Sequence, residues 1–181
     1  KSAAYMLDSD FIMLNGDNIT SCEDIKRIMK SNKMAVGVVR VENPEDFGVV
    51  EVENNSVKKI VEKPEKPISN LVNTGIYCFT TEIFDVMENQ VDLVSVINSM
   101  IADGYEFRCV EANTWVDIVY PWDIIKVNDF AMKFPGKTIA GKVERADIVG
   151  DVTIGENTVI RGNAYIKGPV ILGENCEIGS N

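Results

Sequence analysis

From Ala146 onward an aliphatic residue returns at every sixth position: Ile148, Ile154, Ile160, Ile166, Leu172 and Ile178. Two residues before each stands a small or slim side chain, namely Ala146, Val152, Thr158, Ala164, Val170 and Cys176. Three residues after each comes a turn former: Asp151, Asn157, Asn163, Pro169, Asn175 and Asn181. This period matches neither the ~3.6 residues of a helix nor the ~2 of a strand. It suits a parallel β-helix in which each hexad makes one face of a triangular coil, with the aliphatic residue inside and the turn former at the corner. An irregular β-meander, the competing reading, has no reason to keep the period. Roughly two coils are present, and the pattern is still running at Asn181. Bare coil ends expose strand edges and apolar surface, so further coils or another subunit are expected to cover this end, the first being favoured.

Before about Phe134 the pattern is different. Short apolar runs alternate with helical stretches, which points to an α/β sheet. The spacing predicts strands at 11–14, 35–41, 74–79 and 105–111, and a hairpin of 47–52 with 57–62 turned at Asn54-Asn55. Helices are expected at 22–30 with Ser21 as N-cap, at 82–88, at 93–102 stopped by Gly104, and at 122–133 with Pro121 at its start. Residues 1–10 read as the end of a helix. The expected domains are therefore 1–140 and 141–181.

Composition narrows the chemistry. The chain has no histidine, which excludes His-based triads and general bases. A net charge of −10 argues against nucleic acid or an anionic membrane surface as partners. No apolar run reaches the ~20 residues of a membrane span, and nothing resembles a signal peptide. Cys22, Cys78, Cys109 and Cys176 are scattered without a C-x-x-C pair, so they read as reduced, half-buried small hydrophobes of a cytoplasmic protein. Carboxylates, lysine, backbone amides and metal ions remain for any catalysis.

Several residues are placed to carry it. Asp17 ends a buried strand, where open α/β sheets hold their ligands, although a turn or N-cap role suits it equally. Asp117 follows Trp115 in a short apolar stretch, where a buried carboxylate needs a cation or good hydrogen bonds. Glu62 and Lys63 end a strand, and Pro64 is expected to hold Lys63 extended. On local chemistry alone a solvated Glu-Lys pair is the simpler reading. Asn73 and Gly75 open the next apolar strand, where glycine lets a ligand approach the backbone or simply forms a strand-entry turn.

The segments Leu14-Asn15-Gly16-Asp17-Asn18, Phe47-Gly48-Val49-Val50-Glu51-Val52, Ile60-Val61-Glu62-Lys63-Pro64, Asn73-Thr74-Gly75-Ile76-Tyr77 and Trp115-Val116-Asp117-Ile118, in that order, resemble sugar-1-phosphate nucleotidyltransferases. The hexads resemble the left-handed β-helix that extended or bifunctional members carry. The resemblance implies a partial Rossmann-like mixed sheet followed by the start of that β-helix. It further implies Mg²⁺ held by Asp17 and Asp117, Lys63 on the sugar phosphate, and Glu62, Asn73 and Gly75 around the sugar. The implied substrates are a sugar-1-phosphate and an NTP, dTTP or UTP foremost, with assembly of a homo-oligomer through the β-helix.

Two features depart from the family pattern. The glycine-rich loop that cradles the triphosphate is absent, so the chain by itself is expected to be inactive. After Asp117, Val119-Tyr120 stands where many members have a glycine-threonine pair. Two alternatives accompany the main expectation: a bifunctional enzyme with an amino-sugar acetyltransferase β-helix, and a non-catalytic regulatory or assembly subunit.

Overall fold

The computed structural model describes residues 4–31, 34–87, 92–132 and 137–179. Two compact units emerge, Lys1–Asp117 and Ile118–Asn181.

The first unit contains β1 (Phe11–Leu14), β2 (Asn18–Thr20), α1 (Cys22–Met29), β3 (Ala35–Arg40), β4 (Gly48–Glu53), β5 (Ser56–Glu62), β6 (Leu71–Phe79), α2 (Ile83–Val86), α3 (Leu93–Ala102), β7 (Arg108–Glu111) and β8 (Trp115–Asp117). Six strands form one mixed sheet in the order β1-β6-β3-β7-β5-β4, and β4 also meets β6 at Val49↔Val72. Within it β3 and β7 run parallel, while β1–β6, β3–β6, β4–β5 and β5–β7 are antiparallel.

Both faces of this sheet are covered, which is why its strands read as unbroken apolar runs. On one face Val36, Val38, Tyr77, Phe79 and Phe107 pack with Ile83, Val96, Ile97 and Met100 of the helices. On the other, Ala35, Ile76 and Cys78 pack with Ile28 of α1. The two sets alternate along β3 and β6, as the two-residue period of a strand requires. Asn54 and Asn55, at φ 51° and 64°, make the tight turn of the β4–β5 hairpin, a backbone shape asparagine tolerates well.

Elsewhere the elements differ from expectation in extent. The 82–88 helix is one short turn, Ile83–Val86, and the N-terminal helix end is a 3₁₀ turn at Ala4–Met6. Strand β6 starts at Leu71, so Asn73 and Gly75 lie inside it rather than at its entry. Strands β2 and β8 form a separate antiparallel pair that the sequence pattern did not predict. Residues 1–3, 88, 133 and 181 of the expected features lie outside the described residues. Among the cysteines, Cys78 and Cys109 are buried and Cys176 is half-buried, but Cys22 is exposed in the first turn of α1.

The second unit holds α4 (Asp123–Ala131) and eight short strands: β9 (Thr138–Ile139), β10 (Lys142–Val143), β11 (Asp147–Val149), β12 (Val152–Ile154), β13 (Val159–Ile160), β14 (Tyr165–Lys167), β15 (Val170–Leu172) and β16 (Glu177–Ile178). They stack in three parallel ladders, β9-β12-β15, β10-β13-β16 and β11-β14. Ile148 pairs with Ile166, Ile154 with Leu172 and Ile160 with Ile178, so each aliphatic residue sits on the one three hexads later. This is the start of a β-helix. Val152, Ile154, Ile160 and Ala164 fill its interior, and Asn157, Asn163 and Asn175 turn corners at positive φ. At the corner expected on Asp151, the preceding Gly150 takes the positive φ instead. Thr158 is fully buried and ties successive coils: its hydroxyl donates to the Gly173 carbonyl at 2.6 Å and accepts from the Cys176 N–H at 2.9 Å.

One side chain deserves its own test. Asn98 of α3 accepts from the Ile60 N–H at 2.9 Å and donates to the Ile60 carbonyl at 2.8 Å, replacing a neighbouring strand along β5. Ile60 is buried, so Asn98→Ala leaves both groups without that partner, at about 1–3 kcal/mol each. Urea unfolding should show a loss of about 2–6 kcal/mol. A change under about 0.5 kcal/mol, typical of an unimportant surface position, would mean that other groups satisfy Ile60.

Candidate functional site

The β2–β8 pair brings together residues ninety-nine positions apart in the chain. Asn18 stands opposite Asp117 in its register. The Asn18 side-chain nitrogen donates to Asp117 Oδ1 at 2.6 Å and to Asp17 Oδ1 at 3.3 Å. One amide therefore links the two aspartates singled out from the sequence. Asp17 is exposed and Asp117 half-buried, so Asp117 does obtain a hydrogen bond for its partly desolvated charge.

Behind this pair lies a buried carboxylate that the sequence reading passed over. Asp24 in the first turn of α1 is 1 % exposed. It accepts from the N–H groups of Asn113 and Thr114, both at 3.0 Å, from the Ser21 hydroxyl at 2.8 Å, and from the Thr114 hydroxyl and Arg27 guanidinium. These bonds fasten the loop entering β8 to α1. Thr20 Oγ1 adds a bond to the Thr114 carbonyl at 2.8 Å. Burial pushes the Asp24 carboxyl up, but the bonds from Thr114, Asn113, Ser21 and Arg27 outweigh it and bring its pKa down to about 2. Ser21 followed three residues later by Asp24 is the spacing of a capping box, the one signal that pointed to it.

Gly75 forms the floor between this pair and the rest of the site. Val36 pairs with Tyr77 and Val38 with Asn73, so Gly37 alone faces the three residues 74–76 and β6 bulges there. The bulge needs φ +74° at Gly75, a region glycine enters without a Cβ clash. A Cβ at that position would also collide with the side chains of Asn15 and Asn18, lying 2.9 Å from Asn18 Oδ1. The space over Gly75 is thus taken by two asparagines of the protein itself. The Trp115 indole N–H donates to the Thr74 carbonyl at 3.0 Å and its ring meets Phe47 edge-on at 5.6 Å, which pins β8 to the bulge.

Asn73 continues the line. Its Oδ1 accepts from the Gly75 N–H at 3.1 Å and its Nδ2 donates to the Tyr77 hydroxyl at 2.6 Å. Each end of the amide keeps one further bonding position. Burial raises the Tyr77 pKa, opposed by the Asn73 bond and reinforced by the Glu62 charge, so the phenol stays protonated. Gly48 makes room for Glu62: a Cβ there would lie 2.9 Å from Glu62 Oε2 and 3.6 Å from Asn73 Cβ. Hydrogen bonds thus join Asp117 to Asn18 and Gly75 to Asn73, while the Asn18 amide borders Gly75 and the Glu62 and Asn73 side chains both border Gly48.

Lys63 follows on, exposed, with its N–H donating to the Phe47 carbonyl at 3.0 Å. Its φ is +42°, not the extended backbone expected before Pro64. The local proline constraint is overridden where the end of β5 bonds back to Phe47. After Asp117 the departing Val119-Tyr120 pair gives both N–H groups to Asp123 Oδ2, at 3.3 and 2.9 Å, as the chain enters α4.

Among the described residues no group of three or more His, Cys, Asp and Glu gathers as a metal cluster. Two aspartates within 3.3 Å of one amide nitrogen form a donor set of hard oxygens. That set fits Mg²⁺, which usually takes one or two carboxylates and completes its shell with water and phosphate.

An α/β sheet with a bulged strand along the candidate site is followed in the chain by the hexads of a β-helix. The nucleotidyl transferase family model matches residues 1–133 and the six-repeat bacterial transferase hexapeptide model matches 146–181, so the chain belongs to the nucleotidyl transferase family. It is 34 % identical to the bifunctional protein GlmU of Methanocaldococcus jannaschii over 92 % of this chain and 40 % of that protein. It is also 34 % identical to the bifunctional sugar-1-phosphate nucleotidylyltransferase/acetyltransferase of Sulfurisphaera tokodaii, over 96 % of this chain and 41 % of that one. The chain spans less than half the length of these two relatives. The fold matches UDP-glucose pyrophosphorylase from Acinetobacter baumannii, with TM-score 0.64 and 22 % identity over 74 % of this chain and 55 % of that one. Among the described residues no helix is long and apolar enough to cross a membrane.

The Asp24 pKa carries a prediction. Because it lies below the unfolded value, the associated stability is present above about pH 4 and is lost as pH falls towards 2. It amounts to about 2 kcal/mol. Denaturation of wild type and Asp24→Asn between pH 6 and 2 should show a gap that closes by about that amount on acidification. A gap independent of pH would refute the assignment.

Proposed function

We propose that the complete protein is a sugar-1-phosphate nucleotidyltransferase, which makes an NDP-sugar and pyrophosphate from an NTP and a sugar-1-phosphate. The observation that carries this reading is that the fold brings residues of the family's ordered motifs together: Asn18 bonds Asp117 and Asp17, Asn73 bonds Gly75, and Glu62 and Asn73 both border Gly48. In the reaction a phosphate oxygen of the sugar-1-phosphate attacks the α-phosphorus of the NTP in line. The new P–O bond forms as the bond to the β-phosphate breaks, and pyrophosphate leaves. Such chemistry needs positioning and charge neutralisation more than covalent help.

Lys63 would hold the incoming phosphate through its exposed ammonium. Glu62 would accept hydrogen bonds from sugar hydroxyls, and Asn73 would use its two remaining bonding positions on them. Gly75 would serve by the room it leaves for Asn15 and Asn18. Mg²⁺ on Asp17 and Asp117 would neutralise charge on the triphosphate. The proposed functional division is 1–140 for the transferase domain and 141–181 for a left-handed β-helix that assembles copies of the chain. dTTP or UTP is the proposed nucleotide and the cytoplasm the proposed location.

A second reading rests on the names of the relatives, which include an acetyltransferase. In this reading the β-helix would carry acyl transfer to an amino sugar; the coils described have no histidine to act as base.

Pyrophosphate release by the longest polypeptide encoded around this segment, assayed with Mg²⁺ and a matrix of NTPs and sugar-1-phosphates, tests the main reading. One substrate pair should give release, and Asp117→Ala should lower it by at least about a hundredfold, the scale of a lost electrostatic contact in a transition state. Full activity in Asp117→Ala would remove that residue from the mechanism. No release with any pair would turn the reading to a non-catalytic subunit.

A further inference from the structure

We propose that Asn18 is the positioning residue of the carboxylate pair: its amide sets the separation and orientation of Asp17 and Asp117, so that a divalent cation meets a preformed site. The inference rests on the reading that these two aspartates hold the cation.

Both carboxylates approach the same amide nitrogen, and a donor between two like charges lowers their mutual repulsion. Each can be relieved by a hydrogen-bond donor. Asn18 is well suited, because one amide nitrogen carries two hydrogens that point in different directions. The observed bonds, at 2.6 Å to Asp117 Oδ1 and 3.3 Å to Asp17 Oδ1, use the nitrogen in this manner.

The asparagine is itself constrained. Its backbone is in register with Asp117 in the β2–β8 ladder, and its Oδ1 lies over Gly75, where a Cβ would come within 2.9 Å. The amide oxygen thus faces the glycine and the nitrogen faces the carboxylates. A carboxylate accepts about four hydrogen bonds or ligand contacts, so a cation can bind while the amide stays as an outer partner. Partners of this kind typically alter metal affinity by about 10–100-fold.

The test is Mn²⁺ binding to the 181-residue chain, read from the EPR signal of the free ion, together with the thermal midpoint with and without Mn²⁺. Asn18→Ala should weaken Mn²⁺ binding by about 10–100-fold. Asn18→Asp keeps the shape but adds a third carboxylate. It should lower the midpoint in the absence of metal and show a larger Mn²⁺-dependent rise than wild type, which a purely structural role would not produce. Unchanged affinity in Asn18→Ala, with affinity lost in Asp117→Asn, would overturn the role of Asn18 and leave the cation reading intact. If Asn18→Ala does not fold, a Mn²⁺-dependent rise in Asn18→Asp no larger than wild type overturns it equally. No Mn²⁺ binding by wild type, or undiminished binding in both Asp17→Asn and Asp117→Asn, would overturn the cation reading and this inference with it.

Discussion

Strand β6 has two tasks that conflict. Its C-terminal half must be a regular strand with both faces buried, pairing with β1 and β3. Its N-terminal half must carry Asn73 at the site and leave room for the side chains on the β2 side. The bulge at 74–76 reconciles them, and it depends on one residue that can sit at φ +74° with nothing beyond its Cα. Any side chain at Gly75 would face both a strained backbone and the amides of Asn15 and Asn18. The Asn18 amide that bonds both aspartates and the Asn73 amide therefore both border this single position.

Around the bulge, side chains supply backbone partners where the main sheet cannot. Asn98 completes β5 at Ile60, Trp115 bonds the Thr74 carbonyl, and Asp24 takes two N–H groups of the loop before β8. Each stands where a strand pairing ends or a loop turns, and each turns a polar obligation of the backbone into a fixed position. Asp17, Glu62 and Lys63 are by contrast exposed.

The β-helix was legible because its rule is local and repeated. Six aliphatic positions in one register leave little freedom, and the ladders pair them as the period requires. Even its deviations are local: Gly150 rather than Asp151 turns one corner because the glycine reaches positive φ more easily. In the α/β unit, the strands at 11–14 and 35–40 and the helices α1 and α3 were equally readable from apolar runs and caps. The asparagine turn of the hairpin followed from local chemistry as well.

What the amino-acid sequence determined by itself is the set of elements and the residue types available: carboxylates, lysines, amides and no histidine. Which of these meet was decided by pairing across the chain. Asn18 carried no role of its own in the sequence, and β8, nearly a hundred residues later, came to lie beside it. Asp24 was passed over in the sequence, yet the loop at 113–114 fills its lone pairs, and Lys63 stands outside the extended region where β5 bonds back to Phe47. Periodicity and capping act over a few residues and can be read in order. Partners in a ladder are set by the global fold, and no local pattern encodes them.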